Sequence, residues 1–140
     1  MTKMYNLLKM EDFNRKTQAG AVAYFRYCIK NGDVEGALSC FHPEAVYIDR
    51  DGRELRGLEQ IQPAMDSICR LQLNIQGETP HVTVIDNLAM WLDRWEMTGT
   101  APDGQPIKMI GHTSCIMKKN ETGDWLWIVD NPFGSAILNR

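Results

Sequence analysis

One stretch of the chain places an acid between two indoles. Trp91, Asp93 and Trp95 share one face at the two-residue period of a strand. If that face is concave, the acid resembles a ligand-orienting group in an apolar box. If it is convex, the same residues indicate a dimer interface, where tryptophan is common. We favour the interior placement, and both alternatives stay open at this point.

The three histidines are the next candidates for chemistry. His112 lies in a predicted strand, where it is a candidate acid–base partner or an ordinary structural histidine. His42 precedes a proline at a predicted helix end, which predicts a cap or surface position, and His81 follows a proline and is predicted to be exposed. Their spacing matches no metal-ligand pattern such as HxxxH or HxH. The sequence therefore predicts no metal site and no cofactor.

Asp49 ends a short apolar run and precedes a turn signal. Residues 45–49 (AVYID) predict a strand, Asp51-Gly52 predicts a hairpin turn, and residues 53–56 predict the return strand. Asp49 then has two interpretations. It can accept hydrogen bonds from the backbone of the turn. Alternatively, it faces an apolar cavity beside Tyr47, where loss of water raises its pKa and makes it a base.

Composition and charge exclude several functional classes. The 140 residues suit a single domain spanning residues 1–140, and 44% hydrophobic with 24% charged residues is typical of a globular protein. The net charge is −3 and no basic run extends beyond Lys118-Lys119, so we expect no nucleic-acid partner. No apolar run approaches the roughly 20 residues that cross a membrane.

The cysteines and the start of the sequence bear on localisation. The four cysteines lack CxxC spacing and lie in apolar or helical stretches, which favours reduced thiols over disulfides. Residues 1–10 contain no signal-peptide core. Together these features predict a cytoplasmic protein. The cysteines are Cys28, Cys40, Cys69 and Cys115.

Three amphipathic segments predict helices in the first half of the chain. Residues 11–30 carry an apolar stripe at helical period that ends at Asn31-Gly32. Asp33 is predicted to cap a second, short helix that stops at His42-Pro43. A third helix is predicted to open at Gly57, and Pro63 indicates either a later start or a bend.

From residue 71 onward the apolar period changes to two. Strands are predicted at residues 71–76, 81–85, 88–100, 107–119 and 124–130. Asp130, at the end of the last strand, is interpreted as a structural hydrogen-bonding group at the rim, and the alternative is that it reaches the pocket. Strands 88–100 and 107–119 carry apolar residues on both faces, so a second copy of the chain is predicted to cover the outer face. Helices followed by antiparallel strands make an α+β fold.

Three segments, in this order and at this spacing, carry a family resemblance. They are NGDVEGALSCFHPEAVYIDRDG, RGLEQI and GDWLWIVDNPFG. They resemble the nuclear transport factor 2-like superfamily, which includes ketosteroid isomerases, scytalone dehydratases and polyketide cyclase-like proteins. The resemblance implies a cystatin-like α+β fold, a cone-shaped barrel of curved, mainly antiparallel sheet wrapped around three N-terminal helices. It also implies a cavity inside the cone and dimers through the outer sheet face.

The resemblance implies a role for Asp49. When Gly32-Asp33 is aligned with the equivalent pair of ketosteroid isomerases, their general-base aspartate falls on Asp49 without a gap. Their oxyanion-donating tyrosine falls on Phe25, which has no hydroxyl, and Tyr24 points about 100° away around the helix. Their protonated aspartic acid falls near residues 113–115, which include no carboxylate. Two of the three catalytic positions thus depart from the isomerase pattern.

We therefore predict a protein with a pocket for a small apolar molecule. It is predicted to act as a lyase or isomerase on a carbonyl compound, with Asp49 as the catalytic base. The alternative is a non-catalytic ligand-binding or protein-association module of the same fold. The predicted partners are the apolar ligand and a second copy of the chain. The predicted substrate-binding residues are Tyr24, Phe25, Tyr47, Trp91, Asp93, Trp95 and His112.

Overall fold

Within the described residues, the first helix begins later than predicted, because residues 13–17 of the predicted segment 11–30 form turns. The computed structural model describes residues 13–139, and helix α1 spans Gln18–Lys30. The hydroxyl of Thr17 accepts a hydrogen bond from the Gly20 N–H at 3.0 Å. This cap satisfies one of the donors that a first helical turn leaves free. The predicted start at Glu11 and the predictions for residues 1–10 lie outside the described residues.

Two further helices follow. As predicted, Asp33 caps helix α2 (Val34–Leu38), since its carboxylate accepts the Gly36 N–H at 2.9 Å. Helix α2 does not extend to His42-Pro43, because both residues already lie in strand β1 (Phe41–Ile48). Helix α3 spans Gly57–Arg70 and contains Pro63. Gly57 has a φ of +80°, which lets the chain turn sharply from the preceding strand into this helix.

The described residues form nine strands in two sheets. The larger sheet has the order β2-β1-β9-β8-β5-β4 and the smaller one the order β3-β6-β7. The strand pairings are antiparallel except that of β1 with β9, which is parallel, and neither sheet closes into a barrel. The predicted α+β class with a mainly antiparallel sheet is confirmed. After β1, the strands are β2 (Glu54–Arg56), β3 (Asn74–Gly77), β4 (His81–Ile85), β5 (Leu88–Leu92), β6 (Arg94–Thr100), β7 (Pro106–His112), β8 (Cys115–Lys119) and β9 (Trp125–Asp130).

The two long strands predicted at residues 88–100 and 107–119 are each broken once, so these two predictions are wrong. The first breaks at Asp93 and the second at residues 113–114. In both cases the two pieces belong to different sheets. The breaks face each other, since the Thr113 N–H donates to the Asp93 carbonyl at 2.8 Å. An alternating apolar pattern continues through such a bend and therefore does not reveal it.

One strand also starts later than predicted. The strand expected from Leu71 begins at Asn74, because Gln72 has a φ of +49°, which a strand does not accommodate. The pattern of alternating apolar residues therefore overstates the strand by three positions.

The core lies between the helices and the inner face of the sheets. Its helical side includes Phe25 and Ile29 of α1 with Ile61 and Met65 of α3. The opposing sheet residues include Ala89, Trp91, Met117 and Trp127. Within residues 13–139, no helix is long and apolar enough to cross a membrane.

The predicted interior placement of the Trp91, Asp93 and Trp95 side chains is confirmed. Their exposed fractions are 3%, 7% and 4%. Leu88 and Met90, which alternate with buried residues on β5, are 43% and 41% exposed on the outer face. The acid and both indoles therefore belong to the inner face rather than to an outer surface.

Candidate functional site

An apolar cavity of about 320 Å³ lies between helices α1 and α3 and the inner face of the sheets. Its volume falls within the range of small-molecule pockets, which are mostly apolar with a few placed polar groups. The segment after β9 forms part of the wall as well. Apolar wall residues include Phe25, Ile29, Met65, Ile75, Met97 and Trp127.

Four of the predicted site residues line this cavity. They are Phe25, Tyr47, Asp49 and Trp95. The structure therefore brings together residues from α1, β1 and β6 that lie far apart along the chain. Asp93 lies beside this cavity, in the wall of a neighbouring hollow that Trp91 also lines.

Tyr24 and His112 lie away from the cavity, which corrects their predicted placement. Tyr24 lies on the other side of helix α1. There its ring contacts Phe13 edge-on, and the Arg15 guanidinium lies over the face of the Tyr24 ring. His112 is the last residue of β7 and is exposed. Within residues 13–139, no three histidine, cysteine or acidic side chains converge to hold a metal ion.

The carboxylate of Asp49 is engaged by the hairpin turn. Its Oδ1 accepts the backbone N–H groups of Asp51 and Arg53 at 2.9 Å, and its Oδ2 accepts Arg53 Nε at 2.8 Å. Burial acts to raise the pKa of Asp49, but these hydrogen bonds and the Arg53 charge outweigh it and lower the pKa. The geometry thus supports the turn interpretation, and the raised pKa expected of a base is not found.

A second carboxyl, that of Asp130, lies in the cavity wall. Asp130 is only 3% exposed, and its Oδ1 accepts a hydrogen bond from Cys115 Sγ at 3.4 Å. Burial raises the pKa of Asp130 to about 7. Its Oδ2 accepts no hydrogen bond from the described part of the chain. This oxygen is not fully buried either, so we infer that it reaches the cavity.

Tyr47 stands beside Asp130. The two residues are register partners on the parallel strands β1 and β9, and both line the cavity. Burial, followed by the charges of Asp130 and Asp49, raises the pKa of Tyr47 far above its ordinary value, so the phenol keeps its proton. Within residues 13–139 its hydroxyl makes no hydrogen bond, and it is not shielded from the cavity. The pair thus offers a titratable carboxyl next to a neutral hydrogen-bond donor.

The importance of Asp130 is hidden in the sequence by an irregular strand. Alternation from the buried Trp125 and Trp127 predicts that residue 129 faces inward and residue 130 outward. The register of β9 shifts against both β8 and β1, and this irregularity brings the Asp130 side chain to the inner face. The only signal along the chain is a carboxylate at the end of the apolar run WLWIVD.

A buried ion pair sits at the break between the two sheets. Arg26 Nη2 donates to Asp93 Oδ1 at 3.2 Å, and Arg26 Nη1 lies 2.8 Å from Oδ2, off hydrogen-bond alignment. Thr113 Oγ1 donates to Asp93 Oδ1 at 2.9 Å and accepts the Asp93 N–H at 2.8 Å. Gly77 leaves room for the pair, because a Cβ there would overlap both charged groups. Arg26 and Thr113 also line the cavity.

The chain after β9 covers part of the cavity. Trp95 Nε1 donates to the Pro132 carbonyl at 2.7 Å, and the Phe133 ring meets the Trp95 indole edge-on with centroids 6.0 Å apart. Both Pro132 and Phe133 line the cavity, so this segment forms a wall rather than a free tail.

Comparison with known families identifies one match over most of the chain. Residues 21–125 match the family model described as a SnoaL-like domain. None of the curated proteins matches this sequence.

Solved structures share the fold at low sequence identity. One is an NTF2-like protein with a cystatin-like fold from Novosphingobium aromaticivorans, with 13% identity, a TM-score of 0.68, and coverage of 92% of this chain and 83% of that one. A candidate ketosteroid isomerase from Shewanella frigidimarina has 15% identity, a TM-score of 0.69, and coverage of 80% and 90%. The association domain of CaMKII from C. elegans has 16% identity, a TM-score of 0.62, and coverage of 76% and 84%.

Proposed function

The chain belongs to the SnoaL-like domain family within the nuclear transport factor 2-like superfamily, and on this basis we propose that it is a cofactor-free lyase or isomerase. Its substrate is a small apolar compound that carries a carbonyl group. The cavity volume and the apolar wall support a ligand of this kind. The candidate ketosteroid isomerase from Shewanella frigidimarina has the same fold.

The observation that carries this proposal is the adjacency of Asp130 and Tyr47 inside an apolar cavity. The Asp130 carboxylate takes a proton from the carbon next to the carbonyl, so a C–H bond breaks and an O–H bond forms. The Tyr47 hydroxyl donates a hydrogen bond to the carbonyl oxygen, where negative charge develops. Asp130 then returns the proton to another carbon, or to a departing hydroxyl group.

The proton affinity of Asp130 suits this role. A general base works best when its pKa lies near the working pH, and burial raises the pKa of Asp130 to about 7. Asp49 does not meet this condition, because its pKa is lowered and its oxygens are occupied by the turn. We therefore assign the base to Asp130 in place of Asp49.

Turnover of enones and β-hydroxy ketones by purified variants tests the proposal. We expect Asp130→Asn to lose roughly 100-fold or more in kcat, as removal of a general base does. Tyr47→Phe is expected to lose a comparable factor, because the developing charge loses its donor. Asp124→Asn serves as the matched control, because Asp124 is a half-buried carboxylate that pairs with Lys16 and lies outside the cavity wall.

The comparison of Asp130→Asn with Asp49→Asn decides between the two carboxylates. A loss of activity in Asp49→Asn alone would show that Asp49, and not Asp130, is the general base. Full activity in both variants would remove a carboxylate base from the reaction altogether. Absence of turnover in the wild-type protein across both substrate classes would contradict the proposed enzyme and favour the non-catalytic module.

A second observation supports association between copies of the chain. The outer face of the larger sheet exposes Ile85, Leu88, Met90 and Ile116 at 68%, 43%, 41% and 40%. Ile85 pairs with Leu88, and Met90 pairs with Ile116, so the four side chains form one continuous patch. Exposed apolar patches mark association sites. We propose a homodimer through this patch, and the CaMKII association domain shares the fold.

We also propose that the protein works in a reducing, cytoplasmic environment. The four cysteines are buried as free thiols, and burial raises the pKa of each of them. Buried, protonated thiols of this kind behave as small apolar side chains.

A further inference from the structure

A line of polar side chains crosses the inner face of the sheet. It begins with the register partners Tyr47 and Asp130 and continues through Cys115, whose thiol donates to Asp130. The strand β8, which Cys115 opens, separates β9 from β5, and Asp93 directly follows β5. The line ends at Arg26 of helix α1, which is paired with Asp93. The inner face therefore has a polar row that runs from Tyr47 and Asp130 at one end to Arg26 at the other.

The end of this row carries two opposite charges that are shielded from water. The side chain of Asp93 is 1% exposed and that of Arg26 is 15% exposed. One strand lies between Asp93 and Asp130, so at the usual strand spacing the two carboxyls are roughly 10 Å apart. Charges at this distance in a buried setting are screened much less than exposed charges. The positive and the negative partner must therefore act on Asp130 in opposite directions.

We propose that Arg26 and Asp93 form a balanced charge pair, in which each charge cancels the effect of the other on the pH at which Asp130 gains or loses its proton. They are positioning residues, because they act through Asp130 and not on the substrate. The catalytic consequence rests on the proposed function of Asp130, whereas the effect on its protonation does not. Burial has the largest effect on the pKa of Asp130 and raises it; beside burial, the Arg26 charge lowers this pKa and the Asp93 charge raises it.

Most of the other titratable groups around Asp130 are neutral, so the Arg26–Asp93 pair is a main source of charge near it. From β1 come Tyr47 and Asp49, from β8 comes Cys115, and Cys40 precedes β1. Burial raises the pKa values of the phenol and of both thiols, so these three groups are neutral near pH 7. Asp49 stays ionised. Helix α3 contributes no titratable side chain to the cavity, and Arg50 stands exposed at its rim.

The carbon-13 NMR titration of the Asp130 carboxyl tests the proposal without any substrate. We expect Arg26→Gln to move the midpoint upward from about 7, and Asp93→Asn to move it downward. Each change is expected to be roughly half a pH unit or more. The double variant Arg26→Gln/Asp93→Asn is expected to return close to the wild-type midpoint. If Arg26 and Asp93 had a purely structural role, both single variants would shift the Asp130 midpoint in the same direction, because both break the same ion pair.

Two further variants control the experiment. Arg26→Lys keeps the charge and is expected to keep the midpoint. Arg56→Gln breaks an exposed pair with Glu54 and is also expected to leave the midpoint unchanged. Shifts of both single variants in the same direction, or no shift in either, would overturn the proposal. If a single variant does not fold, a double-variant midpoint that differs from wild type by more than about half a pH unit would overturn it equally.

The pH dependence of turnover separates this inference from the proposed function. In variants that turn over substrate, the midpoint of the kcat/KM profile should follow the NMR midpoint of Asp130. If the NMR midpoints move as expected and no substrate is turned over, the charge pair is established and the proposed enzyme is wrong. If turnover is found and the NMR midpoints do not separate, the enzyme stands and the charge pair does not.

Discussion

Two carboxylates of the same cavity illustrate how local bonding decides chemistry. Asp49 holds three hydrogen bonds from the turn that follows it, and these stabilise the charged form. Within residues 13–139, Asp130 receives only the weak Cys115 thiol donor, and burial stabilises its neutral form. The residue type is the same, but Asp49 is half-buried at the turn whereas Asp130 is buried, so burial and the number of donors together distinguish a turn residue from a candidate base.

The raised pKa of Asp130 predicts a specific dependence of stability on pH. The folded-state value of about 7 lies above the ordinary value of 3.8, so the folded protein binds this proton more tightly than the unfolded chain. The stabilisation is therefore complete below about pH 4 and is lost as the pH rises to about 7. At 1.36 kcal/mol per pH unit, the loss amounts to roughly 4 kcal/mol.

Urea unfolding of the wild type and of Asp130→Asn between pH 4 and pH 7 measures this loss. The free energy of unfolding of the wild type should fall relative to that of the variant by about 4 kcal/mol over this window. The lowered pKa of Asp49 is common to both proteins and cancels in the difference. Parallel curves for the two proteins would show that Asp130 is not buried in its charged form.

At the scale of the elements, the packing of strands β6 and β7 depends on a glycine. Gly111 is the register partner of Trp95, and the indole of Trp95 lies directly over it. A Cβ at this position would overlap the indole ring. Glycine is therefore required here by close packing, since the Trp95 ring occupies the space of a side chain.

Gly111→Ala should displace the Trp95 indole. We expect a loss of roughly 1–3 kcal/mol in the free energy of unfolding, because overpacked sites force neighbouring side chains to shift. The Trp95 hydrogen bond to the Pro132 carbonyl should weaken as well, which loosens the segment over the cavity. Denaturant unfolding measures the first effect, and amide exchange of residues 132–138 measures the second.

Thr100→Ala, at the exposed end of β6, provides the matched control and should change stability by less than about 0.5 kcal/mol. An unfolding free energy of Gly111→Ala equal to that of this control would contradict the close packing of Trp95 on β7.

At the scale of the molecule, the exposed apolar patch predicts a dimer. Met90→Lys places a charge at the centre of the patch formed by Ile85, Leu88, Met90 and Ile116. We expect the wild type to sediment as a dimer and this variant to sediment as a monomer, because a buried unpaired charge is costly. Sedimentation velocity measures both.

Ile110→Lys is the matched control for the dimer. Ile110 is an apolar residue of β7 with a similar exposure of 48%, but it lies in the smaller sheet. This variant should remain dimeric. A monomeric wild type, or equal dissociation of both variants, would contradict an interface at the patch.

Much of the fold could be predicted from the sequence because helices and caps depend on neighbours a few residues away. The Asp33 side chain caps α2 by accepting the N–H of Gly36, which is only three residues away. Gly57 begins α3 as predicted. The change from helical to alternating apolar period sets the α+β class. Asp51-Gly52 marks the hairpin for the same local reason. These features need no knowledge of distant contacts.

The site itself was decided by contacts that the sequence does not encode locally. The parallel pairing of β1 with β9 joins Tyr47 to Asp130, 83 positions along the chain, and the shifted register of β9 turns the carboxyl inward. The breaks at Asp93 and Thr113 place the Arg26 ion pair beside that site. Residue types and their period therefore determined the α+β fold class and the apolar interior. Only the tertiary structure decided which acid faces the cavity, because strand register and burial arise from packing between distant segments.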